Sequence, residues 1–303
     1  MRKITLLLIA FVLISCVNSS SGKKAPKDES QTKSLQVSEV EELSDAFTFT
    51  EGPAVDAKGN VYFTDIPQHL ILIWTLENQL DTFRVNSGRA NGLYFDKDEN
   101  LLACEGEKGQ ISLTSPDGDY KTIATEYAGK RFNQPNDLWS DGKGGVYFTD
   151  PKYGGDETEL PQDGMHVYYI TPDHSSVIKV CDDLEKPNGV IGTPDGKILY
   201  VTDSQAGKTY KYAIQKDGSL TDKQLFVALG CDGMTLDKAG NVYLTTNGKQ
   251  AIDIFLPSGE LLESIGVPKQ PSNLCFSGKD RNQLFITART SIYRVELNAQ
   301  GVD

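Results

Sequence analysis

Six copies of one pattern run through residues 51 to 289, and they restrict the possible folds more than any other feature of the chain. Each copy has a polar residue, a short apolar strand, a turn rich in Asp, Gly and Asn, and a second strand of the type VYFTD. The second strands occupy 61–65, 101–105, 146–150, 199–203, 242–246 and 284–288. Their spacings of 40, 45, 53, 43 and 42 residues fit the period of a four-stranded propeller blade. Period-two alternation, β-branched and aromatic enrichment, and Gly or Asp-Gly turns argue against helical repeats of similar length. The expected fold is all-β, a six-bladed propeller of four-stranded blades. Blade six lacks an outer strand, because the chain stops soon after 290–297, whereas 37–49 precede blade one with no unit of their own. That N-terminal segment is expected to complete the last blade and close the ring, which removes an exposed sheet edge.

The ends of the chain read differently. Arg2 and Lys3 precede an apolar run too short to span a bilayer, so 1–15 read as a signal peptide. Leu13-Ile14-Ser15-Cys16 resembles a bacterial lipobox, with Cys16 the lipidated residue. Residues 16–36 are polar, rich in Ser and Lys, and read as the lipidated Cys and a flexible tether, leaving 37–303 for the propeller. These signals predict an exported bacterial lipoprotein of the cell envelope, a monomer that meets the membrane through its lipid anchor only. A formal net charge of −12, with no basic cluster past the tether, argues against nucleic acid, which needs Lys and Arg at its phosphates. Cys104, Cys181, Cys231 and Cys275 show no CxxC spacing, so buried thiols are expected rather than a zinc or redox site.

Counting back ten or eleven residues from each second strand gives Glu51, Asn91, Asn136, Asn188, Asp232 and Asn273. All six side chains bear oxygen, and a ring of blades brings such positions together at one place, which suits a hard cation. Glu51, Asn136, Asn188 and Asp232 supply two carboxylates and two amide oxygens, a set suited to calcium, with magnesium, manganese or zinc as alternatives. Asn91 and Asn273 read as structural members of the ring. Asp137 is a second carboxylate near the channel. Asp65, Asp150 and Asp203 close three Thr-Asp pairs and are expected to cap the turns that follow them. The long loop 150–164, which carries Tyr153, is expected to form a rim or lid on the face where the inner strands begin, with His69 on the same face. His69, His166 and His174 stand in no nucleophile-elbow context, which argues against a Ser-His-Asp hydrolase.

The segments FTEGPAVDAKGNVYFTDI, QPNDLWSDGKGGVYFTDP, KPNGVIGTPDGKILYVTDS and CDGMTLDKAGNVYLTT resemble the senescence-marker-protein, gluconolactonase and luciferin-regenerating-enzyme family, over essentially residues 40–297. The resemblance implies a six-bladed propeller with a divalent cation at the channel mouth. It implies Glu51, Asn188 and Asp232 as metal ligands and Asn136 as a further ligand or a substrate contact. Asp232 is then the general base or water-positioning group. Because a carboxylate held against a cation is a weaker base, direct attack by Asp232 stays open, and Asp137 is the catalytic candidate if Asp232 serves only the metal. Arg131 sits where some family members place a substrate-contacting Arg, and Tyr153 is within reach of the same mouth. The activity implied is metal-dependent hydrolysis of a sugar lactone. Another carboxylic-ester or phosphoester hydrolase, or a non-catalytic propeller that binds a glycan or protein, remain alternatives.

Overall fold

The computed structural model describes residues 34–246 and 248–302; the segment read as a signal peptide, Cys16 and most of the segment read as a tether lie outside them. Six four-stranded antiparallel sheets follow one another around a central axis. Their innermost strands are Thr50–Val55, Ala90–Phe95, Leu138–Ser140, Pro187–Gly192, Cys231–Leu236 and Asn273–Ser277. The VYFTD-type strands lie second, at Val61–Asp65, Leu101–Glu105, Val146–Asp150, Ile198–Asp203, Val242–Thr246 and Gln283–Ala288. Each sheet packs its apolar face on the next, so inner strands are buried on both sides while outer strands such as Leu80–Arg84 are largely exposed. The alternation that marked the second strands is therefore a record of blade-on-blade packing.

Ring closure follows the expected route. Strand Glu41–Ser44 pairs antiparallel with Ser291–Glu296 and gives blade six its fourth strand, with Glu41 opposite Arg294 and an ion pair between them at 2.8 Å. Ordered contact begins earlier than composition suggested. Leu35 donates its backbone N–H to Glu263 Oε2 at 2.7 Å and Gln36 bridges to Leu297, so 34–36 belong to the propeller surface and not to the tether. All four described cysteines are buried, as expected.

The Thr-Asp pairs act on a different segment from the one the sequence suggested. Asp65 accepts N–H bonds from Thr48 and Phe49, Asp150 from Asn133 and Gln134, and Asp203 from Glu185 and Lys186. Each carboxylate thus clamps the loop that leads into its own blade's inner strand; only Asp203 also caps the following turn, through Ala206 N–H. The Thr of the same strand position works one step inward, also in blades 5 and 6, where no Asp follows it. Thr245 Oγ1 accepts from Asp232 N–H at 3.1 Å, and Thr287 Oγ1 from Asn273 N–H at 3.0 Å. That Thr fixes the backbone of Asp232 and Asn273, polar residues of the inner strands.

A glycine follows that polar residue in blades 1, 2, 4 and 5, and in those four blades the strand ladder slips at that step. The reason is close approach at the axis. A Cβ on Gly52 would lie 2.0 Å from Asn91 O, and one on Gly233 would lie 2.0 Å from Asn273 Oδ1. Blade 6 has Leu274 instead, its ladder is regular, and Asn273 folds back to accept Leu274 N–H at 2.8 Å. The polar ring is therefore built from two kinds of position.

Candidate active site

Glu51, Asn91, Asn136 and Asp232 line one pocket of about 830 Å³ at the face where the inner strands begin, within the range of small-molecule sites. Asn188 joins them from blade 4. Its side-chain amide donates to Asp232 Oδ1 at 2.7 Å and to the Tyr153 hydroxyl at 2.6 Å. Glu51 is buried, accepts Gly52 N–H at 2.9 Å, and shares a hydrogen bond with Asp232. Four positions chosen from the repeat thus meet at the channel mouth, and Asn91, read as structural, stands in the pocket wall with them.

The two carboxylates are strongly perturbed. Burial, and then the charge of Asp232, push Glu51 well above the usual carboxylate range. Burial also raises Asp232 to about 6, against the Asn188 hydrogen bond, the charge of Arg289 and the hydrogen bond from Glu51, all of which favour its ionised form. Burial and mutual repulsion thus both disfavour two negative charges at this point.

Asp137 lies elsewhere. It lines a small internal cavity with Asn273 farther into the channel and not the large pocket, and Asp137 Oδ1 accepts Leu138 N–H at 2.9 Å. Burial raises it to about 7, while N–H groups of Leu138 and Val190 favour its charge. Asn273 hydrogen-bonds both Asp137 and Glu51, so it links the inner carboxylate to the mouth.

The long loop covers this mouth on one side. Tyr153 N–H donates to Gln134 Oε1 at 2.7 Å, its hydroxyl lies 3.3 Å from Ser204 Oγ, and Lys186 Nζ stands 4.5 Å from its ring centroid. Asn133 holds the base of the loop by donating to Asp150 O and Gly164 O and accepting from Gln162 N–H. Arg131 sits on a two-stranded hairpin, Glu126–Tyr127 with Lys130–Arg131, that the repeat did not predict. Its guanidinium lines the pocket and donates to Glu107 O at 3.0 Å. His69 is not in the pocket wall; its Nδ1 lies 3.5 Å from Glu107 Oε2. Gln134, Asn133, Arg89 and Lys152 escaped the sequence reading. The first two had a usable signal, because RFNQPND concentrates polar side chains in the one lead-in loop that precedes the longest interval.

A six-bladed propeller whose axis opens into a pocket floored by a buried carboxylate pair and two amides defines the class. Within it, the chain belongs to the family described as SMP-30/Gluconolactonase/LRE-like region, which matches residues 49–290. It is 30% identical to a gluconolactonase of Zymomonas mobilis over 295 residues, covering 86% of this chain and 82% of that one. It is 26% identical to lactonase drp35 of Staphylococcus aureus, over 80% of this chain and 77% of the relative. A solved gluconolactonase structure from Xanthomonas campestris superposes with a TM-score of 0.79 at 28% identity, covering 85% and 89% of the two chains.

Proposed function

We propose that this propeller hydrolyses sugar lactones, aldono-1,5-lactones among them, at the pocket above Glu51 and Asp232, with a divalent cation as cofactor. The observation that carries the reading is the buried carboxylate pair at the base of an open pocket. Two such groups side by side favour loss of charge, and a cation removes the conflict. The donor set fits a hard ion: Glu51 and Asp232 supply carboxylate oxygens, Asn136 an amide oxygen, and Asn188 another after a half-turn of its amide. Among the described residues no three His, Cys, Asp or Glu form a cluster that could hold a metal. Calcium suits this oxygen set best, ahead of magnesium, manganese and zinc.

The chemistry that a divalent cation supplies when bound there is polarisation of the lactone carbonyl and stabilisation of the oxyanion. Asp232 orients the attacking water and accepts its proton as the new C–O bond forms. The ring C–O bond then breaks, and the ring oxygen leaves as a hydroxyl by taking that proton from Asp232. Tyr153, Asn136 and Arg131 orient the sugar hydroxyls, and the loop that carries Tyr153 shields the mouth from bulk water. Asp137 stands below the pocket, which favours Asp232 over it for the proton transfer. Family membership and likeness to gluconolactonases support the lactone as substrate. The test is a panel of aldonolactones with chelator and with metal added back, beside Asp232→Asn; wild-type rates in that variant would refute the assignment.

We also propose lipidation at Cys16 and export, from the sequence signal alone. Metabolic labelling with a fatty acid tests it: the wild-type chain takes up label and Cys16→Ser does not. Unlabelled wild-type protein would exclude the anchor.

A further inference from the structure

We infer that the preferred lactone carries a second anionic group, a carboxylate or a phosphate, bound on the pocket wall by Arg89, Arg131 and Lys152; this deepens the lactonase reading and rests on it. All three residues line the pocket. The chain has 42 acidic and 30 basic side chains, so a cation on its surface finds carboxylates in excess. Among the described residues none of these three forms an ion pair with a carboxylate. Arg131 and Lys152 are held by backbone carbonyls instead, and feel Asp150, Asp156 and Glu157 only through longer-range charge. Arg131 donates to Glu107 O at 3.0 Å, and Lys152 Nζ to Asp156 O and Glu159 O at 2.6 Å each. Glu107 N–H in turn donates to Gly88 O at 3.1 Å, so the turn that anchors Arg131 is tied to the backbone beside Arg89.

Backbone carbonyls position a cation without cancelling its charge. Two carboxylates share the wall, Glu107 and Glu159, and the first faces His69 at 3.5 Å. Lys186, close by, shows the ordinary outcome: it is ion-paired with Glu157. The pocket is thus divided between an acidic floor and a wall whose cations make no direct ion pair. A neutral sugar lactone would cover those cations with hydroxyls and leave them without a direct counter-ion, at a cost in desolvation. A carboxylate or phosphate matches the guanidinium fork and supplies the missing charge. The carboxylate freed by ring opening does not serve, because it arises where the carbonyl stood, over Glu51 and Asp232. The anionic group on the wall is a separate one and is not transferred in the reaction.

The experiment compares kcat/KM of the full chain, with metal supplied, on glucono-1,5-lactone, its 6-phosphate, and a glucarolactone with a terminal carboxylate. One of the charged lactones is expected to exceed the neutral one about tenfold or more, and the two charged arms tell phosphate from carboxylate. In Arg131→Gln and Lys152→Gln the loss on the charged lactone should exceed the loss on the neutral one by about ten- to a hundredfold. Equal kcat/KM for all three lactones, or equal losses in the variants, overturns the inference and leaves the lactonase reading standing. If no lactone is turned over, that reading fails, and calorimetry decides the anion site by itself. Tighter binding of 6-phosphogluconate or glucarate than of gluconate, lost in Arg131→Gln, supports it; equal binding overturns it.

Discussion

Asn188 donates its side-chain amide to Asp232 Oδ1 at 2.7 Å, so blades 4 and 5 meet through the two residues at which the repeat changes from amide to carboxylate. The contact depends on the step after each residue. Gly189 and Gly233 allow neighbouring inner strands to come close enough for side chains one blade apart to bond directly; a Cβ on Gly189 would lie 2.5 Å from Asp232 O. Sequence repetition thus becomes a site through backbone approach at the axis.

Tyr153 ties the covering loop to that contact through its hydroxyl. Tyr153→Phe removes the bonds to Asn188 and Ser204 and leaves the Lys186 stacking face in place. Loss of one such bond amounts to about 1 kcal/mol, so kcat/KM should fall about fivefold with little change in melting temperature. An unchanged kcat/KM would remove Tyr153 from the site.

Asp65 illustrates the structural work of the Thr-Asp pairs. Asp65→Ala strands the N–H groups of Thr48 and Phe49, bonded now at 2.9 and 3.1 Å. Denaturant unfolding should show a loss of about 2 kcal/mol or more. A change under 0.5 kcal/mol would mean that water replaces the carboxylate at no cost.

Glu105 predicts an acid limb in stability. It is fully buried and bonded by Arg84, Lys108, Gln110, Ser112 and Tyr120. Burial raises its pKa, but the bonds from Lys108 and Ser112 and the charges of Arg84 and Lys108 outweigh it, and the net shift is below the ordinary 4.5. A depressed folded pKa gives stability that is present above the unfolded value and lost as pH falls through the folded one. The difference in stability between wild type and Glu105→Gln should therefore shrink as pH drops below about 4.5. A difference that is constant across that window would contradict the assignment.

Ring closure makes the N-terminal strand essential. A chain that starts at Ser34 keeps Glu41–Ser44 and should melt as the longer protein does; one that starts at Ala46 leaves the edge of Ser291–Glu296 open. The shorter chain should melt lower and self-associate, as light scattering would show. Equal melting and no association would mean that the closing strand is dispensable.

Much of this fold was legible because packing forces repetition. VYFTD recurs since each second strand is sandwiched between blades, and its Thr and Asp hold the inner strand and its lead-in loop. The chemistry was legible only in part. Glu51 and Asp232 stood out as carboxylates among amides, but depth along the axis did not, since Asn136 and Asp137 are adjacent in sequence and reach different cavities. The glycine after Glu51, Asn91, Asn188 and Asp232 was an available signal for positions that face the mouth, and Leu274 marks Asn273 as lying deeper; Asn136, followed by Asp137, faces the mouth without it. Arg89 and Lys152 had none, because only the fold brings them to one pocket wall without a direct carboxylate partner.

The most direct test of the account is lactone hydrolysis by metal-stripped protein, with elemental analysis, before and after calcium is restored. The account predicts that stripping lowers kcat/KM on glucono-1,5-lactone by about a hundredfold or more and that added calcium recovers it. In Asp232→Asn, activity should stay about a hundred- to a thousandfold down whatever metal is present. Full activity in protein shown to hold no metal, or wild-type rates in Asp232→Asn, would contradict it.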